Sequence, residues 1–209
     1  MKKKNIAVKW IALVVVCFAI SLQINAQTAK NMYLNVDWQI NIPIGNSFAN
    51  KISGWGAHVE GGYFVTPHIS IGGFFSFHSN NKYIDRQTIY ITETPAITSD
   101  QQHSIFQIPF GVASRYTFMR DGVFEPYVGV QLGTSYSEVS SYMNILKIYE
   151  RKWGFYAAPE VGVSIFPTPD KRFGFHIAAY YNYATNKTKL LGYSVDGLNN
   201  LGVRLGVAF

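Results

Sequence analysis

A chain of 209 residues leaves room for a single domain once an export signal is removed. Aromatic residues make up 16% and charged residues only 14%, against roughly 25% charged in soluble globular proteins. Yet no apolar run after residue 26 reaches the length of a membrane-spanning helix, which takes about 20 residues. Of the eighteen basic residues behind the net charge of +6, four are Lys2, Lys3, Lys4 and Lys9, so the remainder carries 14 basic against 12 acidic residues and a net of +2, and no nucleic-acid partner is expected.

The first residues read as a secretory signal. A basic start, Met1-Lys-Lys-Lys, leads into an apolar run from Trp10 to Ile20, and Ala26 precedes the expected cut. Residues 1–26 are therefore the expected signal peptide and 27–209 the exported domain. The lone cysteine, Cys17, lies inside the signal, and Val14-Val-Val-Cys17 lacks the small residue that a lipoprotein box places before its cysteine. A cysteine-free mature chain has no disulfide, no thiol nucleophile and no cysteine metal site. No metal or other cofactor is expected.

Period-two alternation begins at Met32. Met32, Leu34, Val36, Trp38, Ile40 and Ile42 alternate with Tyr33, Asn35, Asp37, Gln39 and Asn41, a two-faced strand that no helix would tolerate. Pro43 to Ser53 is an expected loop. A second strand follows from about Gly54 to Val65, and Thr66-Pro67-His68 turns into a third, Ile69 to His78. Ser79 to about Gln102 is an expected long excursion with its own alternating piece, Tyr83 to Ile91, read as an exposed sheet edge. Strand four is Ile105–Phe118 and strand five Phe124–Tyr136, joined at Arg120-Asp121-Gly122. A loop over 137–152 separates them from strand six, Trp153–Ile165. After the short turn Pro167–Arg172 comes strand seven, Phe173–Tyr183, and after a loop over 185–199 the terminal strand, Leu201–Phe209.

Eight strands are expected, with long and short connections alternating, so that the three short ones share one end. An even count suits a bacterial membrane barrel. The fold class is then all-β: an eight-stranded, antiparallel, up-and-down transmembrane barrel. Phe124-Glu-Pro-Tyr-Val-Gly-Val-Gln-Leu-Gly133 and the strand ending in Phe209 resemble the small outer-membrane β-barrel domains of the OmpA/OmpX type. That resemblance covers roughly residues 30–209. It implies residence in the bacterial outer membrane, the barrel-assembly machinery as a partner during insertion, and Phe209 as an assembly signal. On activity it is nearly silent.

Alternation sends Asp37, His58, Glu60, Ser76, Arg115, Glu125, Glu160, His176 and Arg204 inward. An eight-stranded lumen is just wide enough for side chains to fill, and buried charges there must pair. Arg115 is expected within diagonal reach of Glu125, and Arg204 near Asp37, as a polar plug. Outward aromatics Trp38, Trp55, Tyr63, Tyr116, Tyr136, Trp153, Tyr181 and Tyr183 fit the interfacial girdles of barrels.

A catalytic alternative rests on pairing across Thr66–His68, which sets His58 opposite Ser76 with Glu60 the next inward residue: nucleophile, base and acid for a lipid-A-modifying hydrolase. A narrow channel is the other alternative. Eight basic residues (Lys51, Lys82, Arg86, Lys147, Arg151, Lys152, Lys187, Lys189) lie in the long connections against six acidic ones, a small surplus toward outer-membrane lipids and lipopolysaccharide. The segment 79–102 is the expected site for a surface ligand. The expected role is non-enzymatic, with no catalytic residue: a filled barrel serving structure or surface interaction.

Overall fold

The computed structural model describes residues 31–90, 96–120, 122–144, 146–168 and 173–209. The expected signal peptide and the segments 91–95 and 169–172 lie outside the described residues. Eight strands follow in chain order: β1 (Met32–Ile44), β2 (Gly56–Phe64), β3 (Ile69–Tyr90), β4 (Ala96–Thr117), β5 (Phe124–Met143), β6 (Leu146–Ile165), β7 (Gly174–Leu190) and β8 (Tyr193–Ala208). Neighbours in sequence are neighbours in the sheet, and β1 pairs antiparallel with β8 from Asn35↔Ala208 to Ile44↔Asn199, closing the barrel. Leu34 and Phe209 complete that seam with two backbone hydrogen bonds of 3.0 and 2.8 Å. Closure leaves this end of the barrel no free edge, which in a membrane would carry unpaired amides at several kcal/mol each.

Along the end of the barrel that carries the Leu34–Phe209 seam the exposed face is apolar. Leu34, Val36 and Trp38 on β1, Val128, Val130 and Leu132 on β5, and Leu201, Val203 and Leu205 on β8 all point out. The buried face is polar: Asn35, Asp37, Gln39 and Asn41 on β1, His58 and Glu60 on β2, Gln131 on β5, Arg204 on β8. A soluble barrel sorts the other way. Hydrocarbon outside accounts for this sorting.

The expected long loops are largely strand. β3 and β4 stay paired out to Tyr90↔Ala96, β5 and β6 to Met143↔Leu146, and β7 and β8 to Leu190↔Tyr193. Tyr83 to Tyr90 is thus no lone edge: Tyr83 lies opposite Gln102 and Ile84 opposite Gln101, with a bulge before Gln87↔Ser99. Polar composition marked these stretches as loops, but each hairpin keeps its backbone groups satisfied by continuing its ladder. Above the apolar belt the interior turns apolar as well. Ile105, Val139, Leu190, Val195 and Leu198 form a buried cluster there with Phe48 and Ala49, which belong to the irregular connection between β1 and β2. The β7–β8 hairpin turns at Leu191-Gly192, both at positive φ (49° and 79°), as a two-residue type I′ turn requires. Leu191 accepts that backbone cost and packs against the apolar cluster.

Candidate functional site

The lumen is filled in two layers. In the inner layer Arg115 Nε donates to Glu60 Oε1 at 2.5 Å, and its Nη2 lies 3.6 Å from Glu160 Oε1. Arg204 Nη1 donates to the other oxygen of Glu160. Gln131 ties the chain together, donating to Glu60 Oε2 at 2.5 Å and accepting from Arg204 Nη2 at 3.2 Å. Carboxylates and guanidiniums therefore alternate, so that no described charge in this layer faces only its own sign. That arrangement offsets the several kcal/mol that burying each ion costs. Asp37 Oδ1 lies 2.7 Å from His176 Nδ1, and His176 Nε2 lies 2.6 Å from the Tyr127 hydroxyl, which donates to Glu160.

Aromatic rings brace the cations. Arg115 sits between the rings of Tyr33 and Tyr127, 4.5 and 4.2 Å from their centroids, and Arg204 lies 4.2 Å over Tyr180. Two of these rings have a glycine as their partner across the ladder: Tyr127↔Gly162 and Tyr180↔Gly202. A Cβ at Gly162 would stand 2.7 Å from the Tyr127 ring, and one at Gly202 would collide with Tyr180. The glycines make the room into which the tyrosines lean.

Two expected pairs form differently. Arg115 has Gly129 as its β5 partner, which leaves Glu125 four residues along the strand and beyond diagonal reach. Glu125 is half-buried and lines a small rim cavity together with Tyr33, Asn35, Arg115 and Thr117. Arg204 has Gln39, not Asp37, opposite it on β1, and turns to Glu160. In both cases the cation reaches a carboxylate across the lumen, which strand-by-strand reading does not see.

His58 does stand opposite Ser76, with Glu60 the next inward residue, and all three are buried. Their hydrogen bonds are not those of a hydrolase. The Ser76 hydroxyl points at Gln39 Oε1 (3.0 Å) and Ala57 O (3.1 Å), while His58 Nε2 faces Glu60 and the Gln131 amide at 3.5 and 3.4 Å. A serine whose proton goes to an amide oxygen has no base to activate it. Among the described residues no group of three or more His, Cys, Asp or Glu gathers as a metal site would.

The outer layer is a plug. The connection after β1 folds inward and buries Phe48 completely, stacked on the His103 ring (centroids 4.0 Å apart, planes 8° apart) and edge-on to Tyr193 at 5.5 Å. His103 Nδ1 donates to Phe48 O at 3.1 Å, and Lys82 Nζ donates to Ser47 O at 2.9 Å. Burial lowers the His103 pKa from its ordinary 6.5, with the Phe48 carbonyl acting against that and Lys82 with it. Sequence reading missed Phe48, which falls in an expected loop, and His103, which falls between the expected excursion and strand four. Tyr127 and Gln131 share the inward parity of Glu125 on β5, and Tyr180 that of His176 on β7, but they are not in the expected polar set. The opposing glycines were the available signal.

The expected girdle aromatics all point outward: Trp38, Trp55, Tyr63, Tyr116, Trp153, Tyr181 and Tyr183 are exposed and Tyr136 is half-buried. Just beyond Tyr136 and Trp153, Glu138 accepts from Lys147 at 2.6 Å and from Arg151 at 2.8 Å. These bonds, the one from Lys147 foremost, hold its carboxyl below the ordinary carboxylate range. Phe209, half exposed, meets the Phe173 ring at the inner rim with centroids 5.8 Å apart.

No curated protein sequence matches this chain. Among solved structures it is similar to Neisserial surface protein A at 15% identity and a TM-score of 0.55, over 85% of this chain and 95% of that one. It also matches OprG from Pseudomonas aeruginosa (13% identity, TM-score 0.47, 85% and 94% covered) and the N-terminal barrel of OprF from the same organism (14%, 0.41, 86% and 98%). The sequence model of the outer membrane protein β-barrel domain matches residues 10–209. The chain belongs to that family and resides in the bacterial outer membrane.

Proposed function

We propose that this protein is a closed, non-enzymatic barrel that presents a rigid β-sheet cap above the outer membrane as a structural and interaction surface. The plug supports this reading: Phe48, fully buried between His103 and Tyr193, lies over an inner layer already filled by alternating ions. A solute would have to displace both. Residues 1–26 act as the export signal, and residues 27–209 form the barrel domain. The three long hairpins face outward from the cell, the aromatic girdle meets lipid and lipopolysaccharide, and Phe209 is the mark that the barrel-assembly machinery reads.

The test is conductance of the refolded protein in a planar bilayer, with lipid A from expressing cells weighed by mass spectrometry in parallel. The expected result is a silent bilayer and an unchanged lipid A spectrum. Steady single-channel steps from the wild-type protein would replace this reading with a narrow channel. Loss of an acyl chain, abolished by Ser76→Ala, would replace it with the hydrolase.

A further inference from the structure

We propose that the outward face of β6 and β7, just above the aromatic girdle, is a docking site for the phosphorylated sugar headgroup of an outer-leaflet glycolipid. The inference rests on the outward orientation of the long hairpins given above. It begins with a break in the sheet. β6 and β7 are paired up to Tyr156↔Ala184 on their outer side, and among the described residues no ladder pair follows beyond it. From there the β5–β6 and β7–β8 hairpins are two lips of a seam. β7 carries an extra residue here, with Thr185 and Asn186 facing the single Gly197 at φ 96°.

Side chains stitch the base of the seam. Thr185 Oγ1 accepts from Phe155 N at 2.9 Å, Asn186 Nδ2 donates to Lys152 O at 3.0 Å, and Thr188 donates to Glu150. Thr188 is buried, so its neighbours Lys187 and Lys189 point outward, and both are exposed. On the facing lip Arg151, Tyr149 and Lys147 share the outward face with Trp153. The Thr188–Glu150 bond fixes the level at which the two lips meet. It puts two cations of β7 across the seam from two of β6.

The charges do not cancel. The acids on this face are Glu138, already bound by Lys147 and Arg151, and Asp196, opposite Lys187 in the β7–β8 ladder. Glu150 turns the other way, to Thr188 and to Lys152 at 2.9 Å. Four cations against two carboxylates leave a surplus directed at the membrane surface. Depth points the same way. Arg151 stands two residues beyond Trp153, about 5 Å higher for a strand tilted by about 45°. The headgroup layer spans about 5–8 Å beyond the hydrocarbon, so Arg151 lies where headgroup phosphates lie, while Lys147, six residues beyond Trp153, stands above that layer, about 14 Å up. Tyr149 holds Lys147 and Arg151 over its ring at 5.0 and 4.8 Å, and with Tyr142 it offers exposed aromatic surface to a sugar ring. Phosphate on an amphiphile fits all of this; an acidic protein partner would not need the cations to start at girdle level.

The experiment uses the full barrel refolded into phospholipid nanodiscs doped with bis-phosphorylated lipid A, its monophosphorylated form, or phosphatidylglycerol, with retention read by native mass spectrometry. Wild-type protein is expected to retain the bis-phosphorylated lipid about tenfold better than phosphatidylglycerol. Inorganic phosphate at millimolar concentration should fail to displace it. Neutralising the lips together (Lys147→Gln, Arg151→Gln, Lys187→Gln, Lys189→Gln) should remove the preference. Neutralising Lys51 and Arg86 on the other side of the cap should keep it, with heat-modifiable gel migration showing that both variants fold. Equal retention of phosphatidylglycerol, displacement by free phosphate, or an unchanged preference in the four-residue variant would each overturn the proposal. Bilayer conductance of these variants reports on the closed-barrel reading separately, since none of these six side chains fills the lumen.

Discussion

One strand passes through two regions that sort their side chains by opposite rules. In its inner part β5 turns Val128, Val130 and Leu132 out and buries Gln131; in its outer part it turns Glu138 and Tyr142 out and buries Val139 and Met143. The period of two never changes, because the backbone sets it. What changes is the medium outside. Against hydrocarbon there is no gain in hiding an aliphatic side chain, and the polar groups collect inside where they can bond one another. Against water the hydrophobic effect returns, and the cap builds an ordinary apolar core. The crossing falls between Tyr136 and Glu138 on β5, between Trp153 and Arg151 on β6, and between Tyr183 and Lys187 on β7.

If the inner region is held by its ions, breaking one of them has the largest effect. Glu160→Ala leaves Arg204 and the Tyr127 hydroxyl without their shared acceptor. The expected loss is about 3–5 kcal/mol in urea unfolding of the barrel in lipid vesicles. Replacing both partners (Glu160→Gln, Arg204→Met) should recover most of it, because no bare charge remains. Equal losses in the single and double variants would mean that the ion pair is not what holds this layer. The outer region should answer to a different change. Phe48→Ala is expected to cost about 3 kcal/mol, as a core aromatic does. Because Phe48 sits in the folded-in connection, hydrogen exchange should locate the loss in residues 45–55 and leave the ladder between β1 and β8 protected. A uniform loss of protection would mean that cap and membrane region do not open independently.

The two regions were not equally legible in the sequence. In the membrane region alternation alone gave the eight strands and the inward set, because apolar-out and polar-in is a strong contrast there. The His58↔Ser76 register followed from counting across a three-residue turn. The cap was read as loops for a physical reason. Its outward face is polar and the β5–β6 and β7–β8 hairpins turn over two residues, so Ser137 to Lys152 shows neither a long apolar run nor a clean contrast. Ion-pair partners failed for another reason. Arg115 with Glu60 and Arg204 with Glu160 meet across the lumen, between strands that are not neighbours. Such pairs depend on barrel radius and shear, which no single strand encodes.

The smallest expected effect, acid loosening of the plug, tests where the boundary between the two regions lies for a titrating group. His103 faces Phe48 and Tyr193 as rings, the Gln101 amide, and Lys82 across the ladder. Burial, aided by Lys82, holds its pKa below 6.5, so the folded cap favours the neutral ring. A group whose folded pKa is lowered in this way binds its proton more readily in the open state. Its contribution to closure is therefore complete above pH 6.5 and falls away as the pH drops below that value. Protection of the Phe48 amide, which donates to Asn46 Oδ1 at 2.9 Å, should decline over that window once exchange is corrected for its intrinsic pH dependence. In His103→Gln the corrected protection should be flat with pH. An equal decline in that variant would assign the acid response to another group, and would leave the plug held by Phe48 packing alone.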